Sequence, residues 1–151
     1  MNVAETLQIM KPIRPTKEYP QGDLFKVDLD RIVDAKHPLV KLSAVIDWEQ
    51  FDHALEPLFD PRMGRPAIAT RLMVGLHYLK YTYDLSDEEI VRGYTENPYW
   101  QYFCGGRYFE HGLPFDPSSM SYWRKRVKEN GAEQMLSESI KSGMRLKMIR
   151  V

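Results

Sequence analysis

The chain has 151 residues, 43% hydrophobic and 28% charged, with no net charge at pH 7. These are the values of one ordinary globular domain, and no run of about 18 apolar residues could span a bilayer. A single cysteine, Cys104, excludes an internal disulfide and a zinc site built on cysteines, and neutrality argues against a chain that is basic throughout.

Charge is unevenly spread. Residues 1–60 hold seven Lys/Arg against eleven Asp/Glu, whereas eight basic residues face only three acids from Ser118 onward. The opening MNVAETLQIMKP lacks the charged-then-apolar order of a signal peptide, so a cytoplasmic protein with no membrane contact is expected. Pro12, Pro15 and Pro20 fall among charges with no periodicity, which makes residues 1–22 a poorly ordered leader before a helical domain over 23–146.

Leu24, Val27, Leu29, Ile32 and Val33 make a short amphipathic piece, interrupted at Pro38. Val45, Trp48, Phe51, Leu55 and Leu58 then recur at helical steps, and Pro61 and Gly64 close that helix. Gly64-Arg65-Pro66 is a stop-and-start signal for a long core helix, on which Ile68, Leu72, Gly75, Leu76, Leu79 and Tyr83 share one arc. Gly75 invites another backbone to approach, and for Arg65 and Arg71 structural solvation or a local carboxylate partner is expected rather than a phosphate contact.

Ser86-Asp87-Glu88-Glu89 has the form of a capping box, and its acids suit a helix N-terminus better than a metal site. Asn97-Pro98 breaks that helix. The aromatic run Tyr99 to Phe103 reads as a core cluster beneath the next helix rather than as a base-stacking platform.

That next helix, within DPSSMSYWRKRVK, carries most of the local positive charge. Pro117 suits its entry, and Ser118 or Ser119 can cap it. Met120, Trp123 and Val127 form an apolar stripe, and Ser121, Tyr122, Lys125, Arg126 and Lys128 spread over the other side. Such a face suits a helix in a DNA groove, with a merely solvated surface as the plain alternative. After Asn130-Gly131 a last helix places Ala132, Met135, Leu136, Ser139, Ile140, Gly143 and Leu146 inward, and 147–151 reads as the start of a truncated strand.

The blocks HPLVKL, IDWEQF, GRPAIATRLMVGLHYLKYTYDLSDEEI, NPYWQYFCG and PFDPSSMSYWRKRV resemble the N-terminal, InsH-like domain of bacterial transposases of the insertion-sequence-five family. The resemblance implies an all-α, multi-helix domain with a helix-turn-helix-like element, in which the Ser86 helix supports and the Ser119 helix reads DNA. It implies binding to double-stranded DNA at terminal inverted repeats, through Ser119, Ser121, Tyr122, Arg124, Lys125, Arg126 and Lys128. Cutting would fall to an absent catalytic domain with two Mg²⁺ ions, so no catalytic residue, metal ligand or cofactor is expected in this chain. A second expectation is a homo-oligomerising module, through the acidic half or the 132–146 helix, that represses transposition.

Overall fold

The computed structural model describes residues 26–59 and 68–146, and every structural statement below concerns these. The expected leader over 1–22, the turn at Pro61 to Pro66 and the strand start at 147–151 lie outside them. The described fold is all-α: α1 (Leu29–Ile32), α2 (Pro38–Val45), α3 (Trp48–Leu55), a 3₁₀ turn (Glu56–Leu58), α4 (Thr70–Tyr83), α5 (Asp87–Tyr94), α6 (Pro98–Phe103) and α7 (Ser118–Arg145). The nearest thing to a sheet among these residues is one antiparallel bridge between Asp28 and Tyr108.

Side chains at the helix starts set most of the boundaries. The His37 ring nitrogen accepts from Leu39 N at 3.2 Å, with Pro38 in the first turn. Asp47 accepts from Gln50 N, so the expected helix around Trp48 is preceded by a separate α2 and a break at Ile46 and Asp47. The capping box is present as expected: Glu89 N donates to Ser86 Oγ at 3.2 Å, and Ser86 N donates to Glu89 Oε2 at 2.7 Å. Asn97 does more than end α5, because its side chain accepts from Tyr99 N and Trp100 N and starts α6.

Helix α4 is the centre. Met73, Val74, Leu76, His77 and Leu79 are all buried, so this helix is covered on more than the single arc expected, while Tyr83 is exposed. A Cβ at Gly75 would stand 2.7 Å from Cys104 Sγ and 3.2 Å from Cys104 Cα, which is the close approach the glycine permits between α4 and the end of α6. Arg71 is occupied within the fold. Its guanidinium lies 4.5 Å from the Trp48 ring centroid and donates to Ser43 Oγ at 2.9 Å and to the Phe103 carbonyl.

Helix α6 packs against α1, α2, α4 and α5, so the aromatic run joins the core chiefly through these helices. Within it Gln101 is buried and fully used: Nε2 donates to the carbonyls of Tyr94 and Glu110, and Oε1 accepts from Glu110 N. Those bonds tie the irregular segment after α6 to the core and so lead the chain to the start of α7.

Candidate nucleic-acid interface

Helix α7 begins at Ser118, but neither serine caps it. Asp116 Oδ1 accepts from Ser118 N at 2.9 Å and from Ser118 Oγ at 2.6 Å, with Pro117 between them, so the cap is the preceding aspartate. A carboxylate there satisfies an orphan N–H and opposes the helix dipole, which a serine hydroxyl would do more weakly. Ser119, half-buried, donates its own N–H to the Asp116 carbonyl at 2.9 Å.

The apolar stripe docks as its spacing requires. Met120, Trp123 and Val127 are buried, and the Trp123 ring lies 4.7 Å from that of His77 on α4. With this side fixed, Tyr122, Lys125, Arg126 and Lys128 are exposed and Ser121 is half-buried. Tyr122 is 59% exposed, and Lys125 Nζ stands 5.7 Å from its ring centroid. Arg126 Nε donates to the Leu58 carbonyl at 3.1 Å, which anchors the base of its guanidinium beside the 3₁₀ turn.

Arg124 stands apart from this group. It makes a two-pronged bond to Asp87, NH1 to Oδ1 at 2.9 Å and NH2 to Oδ2 at 2.7 Å, and NH1 also lies 3.3 Å from His77 Nε2. Because His77 Nδ1 is 2.7 Å from the Met73 carbonyl, that nitrogen must carry the proton, which leaves Nε2 to accept from Arg124. Burial, with the Arg124 charge adding to it, depresses the His77 pKa to about 4. The hydrogen bond from Arg124 holds the Asp87 carboxyl below its usual range, and Asp87 in turn raises Arg124. Lys80 Nζ lies 3.7 Å from Asp87 as well.

Asp87 therefore has a role that sequence reasoning missed. Its position in a first turn gave the capping reading, and its partner on α7 left no trace in local spacing. The α5 and α7 helices are separated by residues 95–117, which hold α6 and an irregular segment. That is not the turn of about three to four residues that joins a compact helix-turn-helix; the two helices meet through Asp87 and Arg124.

Lys128 carries a second local feature. Its backbone is at φ 47 and ψ −140, which divides α7 into two helical halves there rather than at Asn130-Gly131. A lysine in that region is strained, and the turn changes the phase of all that follows. The buried residues of the second half are Gly131, Met135, Glu138 and Ser142, so the expected inward face is corrected in part: Met135 is inside as expected, Ala132, Leu136 and Ile140 are exposed, and Ser139, though exposed, bonds to Tyr78 on α4.

Among the described residues no three His, Cys, Asp or Glu side chains are grouped to hold an ion. The acids near the basic helix are committed to other work, Asp87 to Arg124, Glu89 to Ser86 and Asp116 to Ser118. No described helix is long and apolar enough to cross a membrane.

The matching family is a transposase domain. The family described as Transposase domain (DUF772) matches residues 27–126, and the chain is a member of it. The match runs from just before α1 to Arg126 and stops short of the kink. The chain is also 49% identical over 135 residues to the Rhizobium meliloti protein named "Uncharacterized protein ORF8 in nfe locus", a match covering 89% of this chain and 64% of that protein. The chain thus spans a little under two thirds of that relative's length. No solved structure matches it.

Proposed function

We propose that this chain is the DNA-binding N-terminal part of a transposase, one that recognises the terminal inverted repeats of an insertion sequence of the insertion-sequence-five type. The observation that carries this reading is the pairing of transposase-family membership with the outward face of α7. There Lys125, Arg126 and Lys128 surround Ser121 and Tyr122 on a helix whose other side is buried.

In this reading residues 23–146 form the DNA-binding domain, α5 braces α7, and α7 enters a groove. Lysine and arginine on such a face neutralise phosphates, while Ser121, Ser119 and Tyr122 supply neutral hydrogen bonds to the backbone or to base edges. Arg124 acts here by fixing the roll of α7, since both prongs of its guanidinium are occupied by Asp87. Strand cutting, with its two Mg²⁺ ions, belongs to a part of the transposase outside this chain, and DNA is met in the cytoplasm.

The test is titration of a labelled inverted-repeat duplex at two salt concentrations. A Lys125→Ala/Arg126→Ala variant should bind more weakly, and its salt slope should fall by about 0.9 for each phosphate no longer neutralised. Its melting should stay close to that of the parent. Unchanged affinity in a folded double variant would remove the DNA role from α7. Binding to unrelated duplex near physiological salt should be no tighter than about 10⁻⁴ to 10⁻⁶ M.

A further inference from the structure

The second half of α7 has its polarity reversed. Glu138 and Ser142 are buried against the core, whereas Leu136, Ile140 and Met144 are 64%, 48% and 48% exposed. These three follow one another at four-residue steps, and exposed Ala132 extends the same row by one turn. Residues at that spacing are neighbours on a helix surface, so the row is a continuous apolar ridge rather than scattered exposure.

A second row runs beside it, one residue further along the chain at each step: Glu129, Glu133, Ser137, Lys141 and Arg145. It is acidic at its N-terminal end and basic at its C-terminal end. Arg145 is already bonded to Glu138 and to the Val45 carbonyl, so the pair open to an outside partner is Glu133 and Lys141, both exposed.

We infer that this ridge is the contact surface for a second copy of the same chain, packed antiparallel about a twofold axis. Charge complementarity selects both the occupant and the direction. Setting Leu136 against Ile140 of the second copy also sets Ala132 against Met144, small against large. On the flank it brings Glu133 alongside Lys141, and the twofold repeats that ion pair. A parallel arrangement about a twofold would put this charged row of the two copies on opposite flanks of the seam, so that Glu133 and Lys141 would not meet and the ion pairs would be lost. The surface is self-complementary, as an isologous interface must be. Its apolar part is small, so the association is weak and depends on concentration. The inference concerns a face remote from Lys125 and holds whether or not the DNA reading does.

Sedimentation velocity of the whole chain between about 1 µM and 1 mM should show a shift from monomer to dimer. Leu136→Glu/Ile140→Glu should sediment as monomer throughout, with unchanged helical circular dichroism as the control for folding. Glu133→Lys and Lys141→Glu should each weaken dimerisation by about tenfold. The combined Glu133→Lys/Lys141→Glu variant should regain the parental constant, because the antiparallel pairs are restored with their signs exchanged. Failure of that rescue in a folded protein would overturn the antiparallel pairing. A parent that remains monomeric at every concentration would give the ridge to some other occupant, residues 1–25 of the same chain included, and would overturn the proposal. A dimer indifferent to all four variants would do the same.

Discussion

Arg124 on α7 and Asp87 on α5 face each other in a two-pronged ion pair, 2.9 and 2.7 Å, with the buried His77 ring against the same guanidinium. Two helices far apart in the chain are thereby held at one mutual rotation, and that rotation decides which α7 residues face outward. Charge-assisted bonds of this kind contribute about 1.5 to 3 kcal/mol where buried. With the side chains 33% and 21% exposed, solvent screening brings the expectation to about 1 to 2 kcal/mol. Arg124→Ala and Asp87→Ala should each lower stability by that amount, and the double variant should lose little more than either. Additive losses in urea unfolding would mean that the pair is not one unit. The Asp87 share is present above the ordinary carboxylate pKa and is lost only as pH falls through its depressed folded value.

The His77 ring gives a separate acid dependence. Its folded pKa of about 4 is below the ordinary 6.5, so between these values the unfolded chain binds the proton that the folded chain refuses. Stability should be full above about pH 6.5 and decline as pH falls toward 4, by up to about 3 kcal/mol at 1.36 kcal/mol per pH unit. Thermal melts at pH 7, 6, 5 and 4.5 would measure it. A His77→Gln variant should be less stable at pH 7 and should lose most of the slope between pH 6.5 and 4.5. A variant with the parental slope would move the acid dependence to other groups.

What could be read from the chain was mainly what is local. The Ser86 capping box closes over three residues, the Met120, Trp123 and Val127 stripe lies within two turns, and Gly75 announces a close approach within its own helix. Each needs no knowledge of the distant chain. By contrast, the Arg124 contact depends on a residue on another helix, and the resemblance that named Arg124 among DNA contacts had no means of seeing Asp87. The phase of α7 after Lys128 was lost for another reason. The helix expected after Asn130-Gly131 is oriented by its own apolar residues, which assign Leu136 and Ile140 to the core and leave Glu138 out of it. Apolar pattern alone favoured that wrong face, because a buried glutamate is the rarer outcome.

At Gly75 the expected effect is steric. An alanine methyl would fall 2.7 Å from Cys104 Sγ and 3.2 Å from Cys104 Cα, and the second atom is backbone that cannot swing aside. Gly75→Ala should therefore cost about 1 to 3 kcal/mol as overpacking, despite the higher helix propensity of alanine. Adding Cys104→Ala relieves the sulfur contact and not the backbone one, so it should recover only part of the loss. A Gly75→Ala protein more stable than the parent would show that α4 and α6 can separate without penalty.

Removal of Trp123 tests the docking of α7 from the other side. It is buried, with its ring 4.7 Å from that of His77, and shares the stripe with Met120 and Val127. Trp123→Ala should destabilise by about 3 to 5 kcal/mol, the loss expected for a large buried aromatic. The comparison with Lys125→Ala is the informative one, since an exposed lysine at a solvated site should change the melt very little. Equal losses for the two would place the buried stripe elsewhere.

Glu138 and Arg145 should respond unequally to deletion. Glu138 is buried, and its Oε1 accepts from Asp47 N at 2.9 Å, Ser142 Oγ at 3.2 Å and Arg145 NH1 at 2.6 Å, while Oε2 is buried without a hydrogen-bond partner. Arg145 is 42% exposed, so water can solvate it once the carboxylate is gone. Glu138→Leu removes the charge together with the orphaned oxygen and leaves chiefly the Asp47 N–H unpaired, a loss of about 1 to 3 kcal/mol. Arg145→Ala strands a buried carboxylate with only neutral donors, the costlier case, about 3 to 5 kcal/mol. In the Glu138→Leu background the arginine has no charge left to balance, and Arg145→Ala should then cost under about 1 kcal/mol. Urea unfolding of the four proteins measures each step. Limited proteolysis should show the loss of docking as faster cleavage after Lys128 and Lys141. An Arg145→Ala protein as stable as the parent would mean that Asp47 N and Ser142 suffice to hold the carboxylate, and that α7 stays docked beyond its kink without the ion pair.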